Sequence, residues 1–259
     1  MIPIRLRPVT DKSIGTTAFF RNRILLETVC EMISSIEKKE IRVLFHACSI
    51  GSEVYSFMIT TALDQRLAEK RIKVACCDQE TSFLDFGKSA IYPCEVLKGM
   101  YPKEQNFFER IDENLIRVKQ EIRNNVTFLP ASSFRDFMYP EPFDVVFLLN
   151  ALLYLPKEDQ AVAIDNIAKY NNSLFITTGF HFDCIKQDLQ RNHYQPYLEN
   201  AKQIHDGWVD RRKAIMDANE VIPGKIYHPW SLAPYSTIKD YDYLYSAIFL
   251  KQGNERLGS

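Results

Sequence analysis

Val43-Leu44-Phe45-His46-Ala47-Cys48-Ser49-Ile50-Gly51-Ser52-Glu53-Val54-Tyr55-Ser56 is the stretch that decides the fold. It opens as an apolar β-strand, breaks at small residues around Gly51, and resumes as an apolar helix from Tyr55. In α/β folds a strand, a small-residue turn and a helix open a crevice at the carboxyl ends of the strands. The small side chains let a ligand come close to the backbone. Neither G-x-x-x-x-G-K-[ST] nor a complete G-x-G-x-x-G is present, which turns the reading away from phosphate. A ligand that has a ribose but no phosphates fits better, and S-adenosylmethionine (SAM) is the obvious candidate.

Working outward, strands and helices alternate. Residues 41–48 read as a first strand and 52–67 as a helix. A second strand, 72–77, ends at Asp78, and 81–89 is a helix. Residues 126–129, 143–149 and 173–177 read as the third, fourth and fifth strands, with a helix over 157–169. This alternation predicts a doubly wound, mostly parallel sheet. The apolar run 244–250 is expected to close the sheet as an edge strand, with Tyr241, Tyr243 and Tyr245 on one face. Two segments interrupt the pattern. Residues 91–125 carry a charged helical stretch (103–111) and an extra strand (115–120). Residues 180–227 form a helical insertion after the fifth strand, either a lid over a substrate or a surface extension. The expectation is one domain, 1–259, with its core in 16–178 and 230–251.

Composition removes several classes of partner. Lys and Arg number 32 against 33 Asp and Glu, so no global charge calls for nucleic acid or an anionic membrane. Met1-Ile2-Pro3-Ile4-Arg5 lacks the apolar core of a signal peptide, and no run approaches a membrane span. Six cysteines without C-x-x-C spacing read as reduced, mostly buried thiols of a cytoplasmic protein. His181, His205 and His228 are too scattered for a metal site, and none is expected. His46 is expected to be a core histidine.

The residues also match a family. Thr17-Ala18-Phe19-Phe20-Arg21, Cys48-Ser49-x-Gly51-x-Glu53-x-Tyr55-Ser56, Asp78, and Phe143-Asp144-Val145-Val146-Phe147-x-x-Asn150-x-x-x-Tyr154 occur in the order and at the spacing of one group of enzymes. The chain thereby resembles the chemotaxis receptor glutamate O-methyltransferases (CheR-like), SAM-dependent enzymes of the class I methyltransferase (Rossmann-like) fold. Asp78 can accept hydrogen bonds from both ribose hydroxyls, or cap the following helix. The resemblance turns Glu53 toward the methionine end of SAM, where it can pair with the ammonium; the other reading is an acid favoured by the helix dipole. Arg21 can hold a carboxylate, that of SAM or that of the acceptor, or make a surface ion pair. Thr17, Cys48, Ser49, Gly51, Asn150 and Ala151 complete the cofactor set, and Ser132 and Ser133 stand where relatives contact adenine. Tyr154 either lines the acceptor side, making it catalytic together with Arg21, or packs beneath the sheet.

Some positions depart from the family pattern. The family's paired acids after the glycine are reduced to Ser52-Glu53, its arginine before Asn150 is Leu149, and its Gly-His-Ser-Glu is Thr178-Gly179-Phe180-His181. Only about fifteen residues precede the Thr17 motif, where family members carry a helical domain. The acceptor expectation is therefore a small-molecule or protein carboxylate, bound through His181, Trp208, Arg211 and Arg212. A carboxylate is ionised at neutral pH and needs no base. The alternatives are chemotaxis-type glutamate methylation, a SAM-binding module without transfer activity, or attack on another carbon of SAM.

Overall fold

The computed structural model describes residues 4–6, 15–139, 141–181, 183–207 and 241–253. The chain falls into two compact units, 1–133 and 134–259.

The first unit opens with an antiparallel ribbon, β1 (Ile4–Leu6) against β2 (Gly15–Thr17). Helix α1 (Arg23–Ser34) follows, capped where the Asn22 side chain accepts from the Leu25 N–H at 3.0 Å. Strand β3 (Glu40–His46), helix α2 (Ser52–Leu63), strand β4 (Arg71–Cys77) and helix α3 (Thr81–Ser89) come next. β3 and β4 are parallel, in register from Glu40↔Arg71 to His46↔Cys77. Both therefore end at the same edge, and the 47–51 loop and Asp78 leave from it together.

Helix α2 stops a turn before the expected residue 67. Asp64 turns extended, and its carboxylate instead caps a short 3-10 turn through the Arg66 N–H at 3.0 Å.

The 91–125 segment differs from its sequence reading. It builds a small antiparallel sheet from β5 (Ile91–Pro93), β6 (Phe108–Arg110) and β7 (Leu115–Val118), in the order β5-β7-β6. The charged helix expected over 103–111 shrinks to α4 (Pro102–Gln105). Glu104 explains why. Its carboxylate is drawn inward to the Arg23 guanidinium at 2.6 and 3.0 Å and to the Tyr101 N–H at 2.7 Å, and the chain beyond it pairs with β7. Helix α5 (Gln120–Arg123) then leads into β8 (Val126–Phe128), parallel to β4.

The second unit holds β9 (Phe143–Leu149), α6 (Lys157–Tyr170), β10 (Asn171–Thr178), α7 (Ile185–Arg191), β11 (Tyr194–Pro196), α8 (Ala201–Asp206), α9 (Asp242–Tyr245) and β12 (Ile248–Lys251). Its strands run β11-β12-β10-β9, with β9 and β10 parallel and the other pairs antiparallel. The edge expected at 244–250 is thus β11, while β12 lies inside the sheet. Tyr243 and Tyr245 do not mark a strand face. They are buried residues of α9, whose turn closes when the Tyr241 carbonyl accepts from the Leu244 and Tyr245 N–H groups. Residues 183–207 of the expected insertion also build this unit, burying Ile185, Leu189, Tyr194 and Ile204. Trp208, Arg211, Arg212 and the rest of the insertion lie outside the described residues. No helix among the described residues is long and apolar enough to cross a membrane.

Close packing beside the 47–51 loop gives a direct test. A Cβ added at Gly87 of α3 would lie 2.7 Å from the Phe128 ring and 3.2 Å from the Ile50 carbonyl carbon. Gly87→Ala should therefore destabilise the protein by about 1–3 kcal/mol despite its better helix propensity. Urea titration checks this, and a stabilised variant would contradict the packing.

Candidate functional site

The loop that joins β3 to α2 is held in an uncommon conformation. Ala47, Ser49 and Gly51 all have left-handed backbones, with φ of 57, 50 and 81°. For the two non-glycine residues this costs roughly 1–2 kcal/mol each. Such a backbone persists only where its surroundings over-determine it, which is common at ligand sites. Four hydrogen bonds do so here. The Cys48 N–H donates to the Cys77 carbonyl at 3.0 Å and the Gly51 N–H to the Cys48 carbonyl at 3.0 Å. The Ser49 N–H donates to Asp78 Oδ2 at 2.8 Å, and the Tyr92 hydroxyl to the Ile50 carbonyl at 2.6 Å.

Asp78 is buried, and burial pushes its carboxyl pKa up against the pull of main-chain N–H donors at Glu80, Ser49 and Gln79. Oδ1 accepts from the Glu80 N–H at 3.1 Å. The two carboxylate oxygens offer about four lone-pair sites in all, so Asp78 retains capacity to accept from a hydroxyl. Ser132 is fixed beside it: its N–H donates to the Asp78 carbonyl at 3.1 Å, and its hydroxyl lies 3.0 Å from the Cys77 sulfur. Ser133 follows directly. The Cys48 thiol is buried, which raises its pKa and keeps it protonated.

The Thr17–Arg21 motif lies against α2. The Phe20 N–H donates to the Ser56 hydroxyl at 2.8 Å, and the Phe19 ring meets Tyr92 edge-on at 4.8 Å. Arg21 is buried, with Nη1 3.3 Å from Oε1 of Glu53. The hydroxyls of Thr17, Ser49 and Ser52 are buried without a hydrogen-bond partner. Buried polar atoms are normally matched, so a set of orphans beside a largely buried ion pair fits a polar ligand such as the amino-acid end of SAM. Sequence reasoning missed Ser52 and Tyr92. Ser52 stood in the quoted run, whereas nothing local to Tyr92 pointed to the loop.

Among the described residues, four expected site residues belong to the second unit. Asn150, left-handed at φ 51°, donates its N–H to the Thr178 carbonyl at 2.7 Å and accepts from the Thr178 hydroxyl at 3.2 Å. Ala151 beside it is buried. Tyr154 is 59% exposed, which overturns its reading as a packing residue. His181 is tied down rather than open: Nε2 lies 2.5 Å from the Leu155 carbonyl, and its N–H donates to Gln160 at 2.7 Å.

His46, at the end of β3, is a buried core histidine. Burial lowers its pKa to about 4, opposed by a hydrogen bond to the Ser132 backbone. The folded value lies below the unfolded one near 6.5, so the unfolded chain takes up the proton first. Its contribution is complete above pH 6.5 and fades as pH falls toward 4, by about 3 kcal/mol in all. Denaturant unfolding at pH 7 and pH 4.5 should show most of this loss, and a His46→Gln variant should show a flatter profile. Equal slopes in the two proteins would remove His46 as the cause.

Residues 15–176 match the family described as CheR methyltransferase, SAM binding domain. The chain is 34% identical over 157 residues to the chemotaxis protein methyltransferase of Escherichia coli (strain K12), covering 59% of this chain and 54% of that protein. It is 35% identical over 149 residues to the Salmonella typhimurium protein of the same name, covering 56% of this chain and 51% of that one. The chain thus spans about half the length of these curated relatives. The family match takes in the Thr17–Arg21 motif, the 47–51 loop and Asp78, and the chain, an α/β fold built on parallel strands, belongs to the CheR methyltransferase SAM-binding domain family, with SAM as its cofactor.

Proposed function

We propose that this chain transfers the methyl group of SAM to a carboxylate, forming a methyl ester and S-adenosylhomocysteine. The observation that carries this reading is the largely buried Arg21–Glu53 pair among the unmatched hydroxyls of Thr17, Ser49 and Ser52. The amino-acid end of SAM is a zwitterion. Glu53 suits its ammonium, Arg21 its carboxylate, and the hydroxyls the remaining polar atoms. Asp78 takes the ribose hydroxyls, and Ser132 and Ser133 the adenine.

When bound, SAM supplies a sulfonium methyl activated for in-line displacement. The C–S electron pair returns to sulfur as the new O–CH3 bond forms, so the step needs no proton transfer. A carboxylate acceptor is already ionised at neutral pH. The protein's task is to orient the reacting atoms and exclude water. The curated relatives are named chemotaxis protein methyltransferases, which makes a protein-borne carboxylate the first acceptor to test and a small carboxylic acid the second.

The test uses methyl-labelled SAM with both acceptor classes. Ester label is released as methanol in mild alkali, and that release is the expected result. Alkali-stable label would overturn the carboxylate assignment. Tight SAM binding with no S-adenosylhomocysteine from any acceptor would favour a binding module. Glu53→Gln should weaken SAM binding by about 1.5–3 kcal/mol, the range for a hydrogen bond to a charged group. Calorimetry showing native affinity in the folded variant would remove Glu53 from the ammonium contact.

A further inference from the structure

We propose that Tyr92 is a positioning residue for the cofactor: it latches the Ile50–Gly51 peptide in the orientation the site requires. The proposal rests on the reading of the 47–51 loop as part of the SAM site. Tyr92 lies on β5 of the small antiparallel sheet and is fully buried. Its hydroxyl donates to the Ile50 carbonyl at 2.6 Å. The other end of that same peptide, the Gly51 N–H, donates to the Cys48 carbonyl at 3.0 Å. One peptide unit is therefore gripped at both its polar ends.

The grip matters because this peptide has an alternative. It joins Ile50 to Gly51, and Gly51 is left-handed. Glycine accepts either sign of φ without steric penalty, so the peptide can turn over through rotations at Ile50 and Gly51. A flip would break the Gly51–Cys48 bond and reverse the direction of the carbonyl and N–H that the loop holds between Ser49 and Ser52. The hydroxyl of Tyr92 opposes this rotation directly. Its ring also braces the Thr17–Arg21 motif, meeting Phe19 edge-on at 4.8 Å with an interplanar angle of 84°. A single side chain thus sets two segments of the site.

The test is Tyr92→Phe, which keeps the ring and deletes the hydroxyl. SAM and S-adenosylhomocysteine dissociation constants should rise about fivefold, the equivalent of one ordinary hydrogen bond. Val118→Ala, fully buried in β7 of the same small sheet, controls for general loss of stability and should keep native affinity. Native affinity in Tyr92→Phe, or an equal loss in Val118→Ala, would overturn the proposal. Amide exchange in the native, unliganded protein gives a second measurement that does not depend on the variant folding. The Gly51 amide should be protected before any ligand is added, and unprotected exchange would also overturn the latch. A native chain that binds neither ligand would defeat the SAM reading of the loop, while Gly51 exchange would still decide whether the latch exists.

Discussion

The hydrogen bond from the Ser49 N–H to Asp78 Oδ2, 2.8 Å long, is the interaction on which the rest of the first unit's site depends. It exists because β3 and β4 run parallel and in register to His46↔Cys77. That register delivers the loop after one strand to the carboxylate after the next. The carboxylate holds a backbone that would otherwise relax from two left-handed non-glycine residues. With the loop held, the Ser49 and Ser52 hydroxyls and the head of α2 take fixed places.

Charge in the site is arranged on the same logic. Arg21 is buried and Glu53 largely so, and they face each other at 3.3 Å. A buried pair offsets much of its own desolvation, and removing either member leaves an uncompensated charge. A zwitterion can exchange with such a pair without changing the total charge of the site. A simple cation or anion cannot. The neighbouring hydroxyls add directional bonds, which charge alone does not supply.

Strands β3, β4, β9 and β10 were legible because each carries a short apolar stretch, such as residues 43–45 or 145–149, as expected where a parallel sheet is covered. Gly51 and Asp78 were legible because small residues and acids stand at positions set by the end of a strand, whereas the Thr17–Arg21 motif and Glu53 were legible through their resemblance to the family's motifs. The end of α2 was missed because the Asp64 side chain diverts the helix. The stretch 103–111 looked helical until a partner at Arg23 drew Glu104 inward. The tyrosines near the C-terminus alternate like strand residues, yet α9 buries Tyr243 and Tyr245 together. In each case the deciding contact comes from a side chain or strand that local periodicity does not register.

By itself the sequence determined the parallel α/β class, the crevice loop and the chemical types gathered around it, since these follow from apolar runs, small residues and charges close together in the chain. Only the tertiary structure decided that Arg21 faces Glu53, that Asp78 holds Ser49, and that Tyr92 reaches the Ile50 carbonyl. It also decided that residues 183–207 build sheet and helix of the second unit. These pairings join residues far apart in sequence, and strand register and burial select them, which no local pattern encodes.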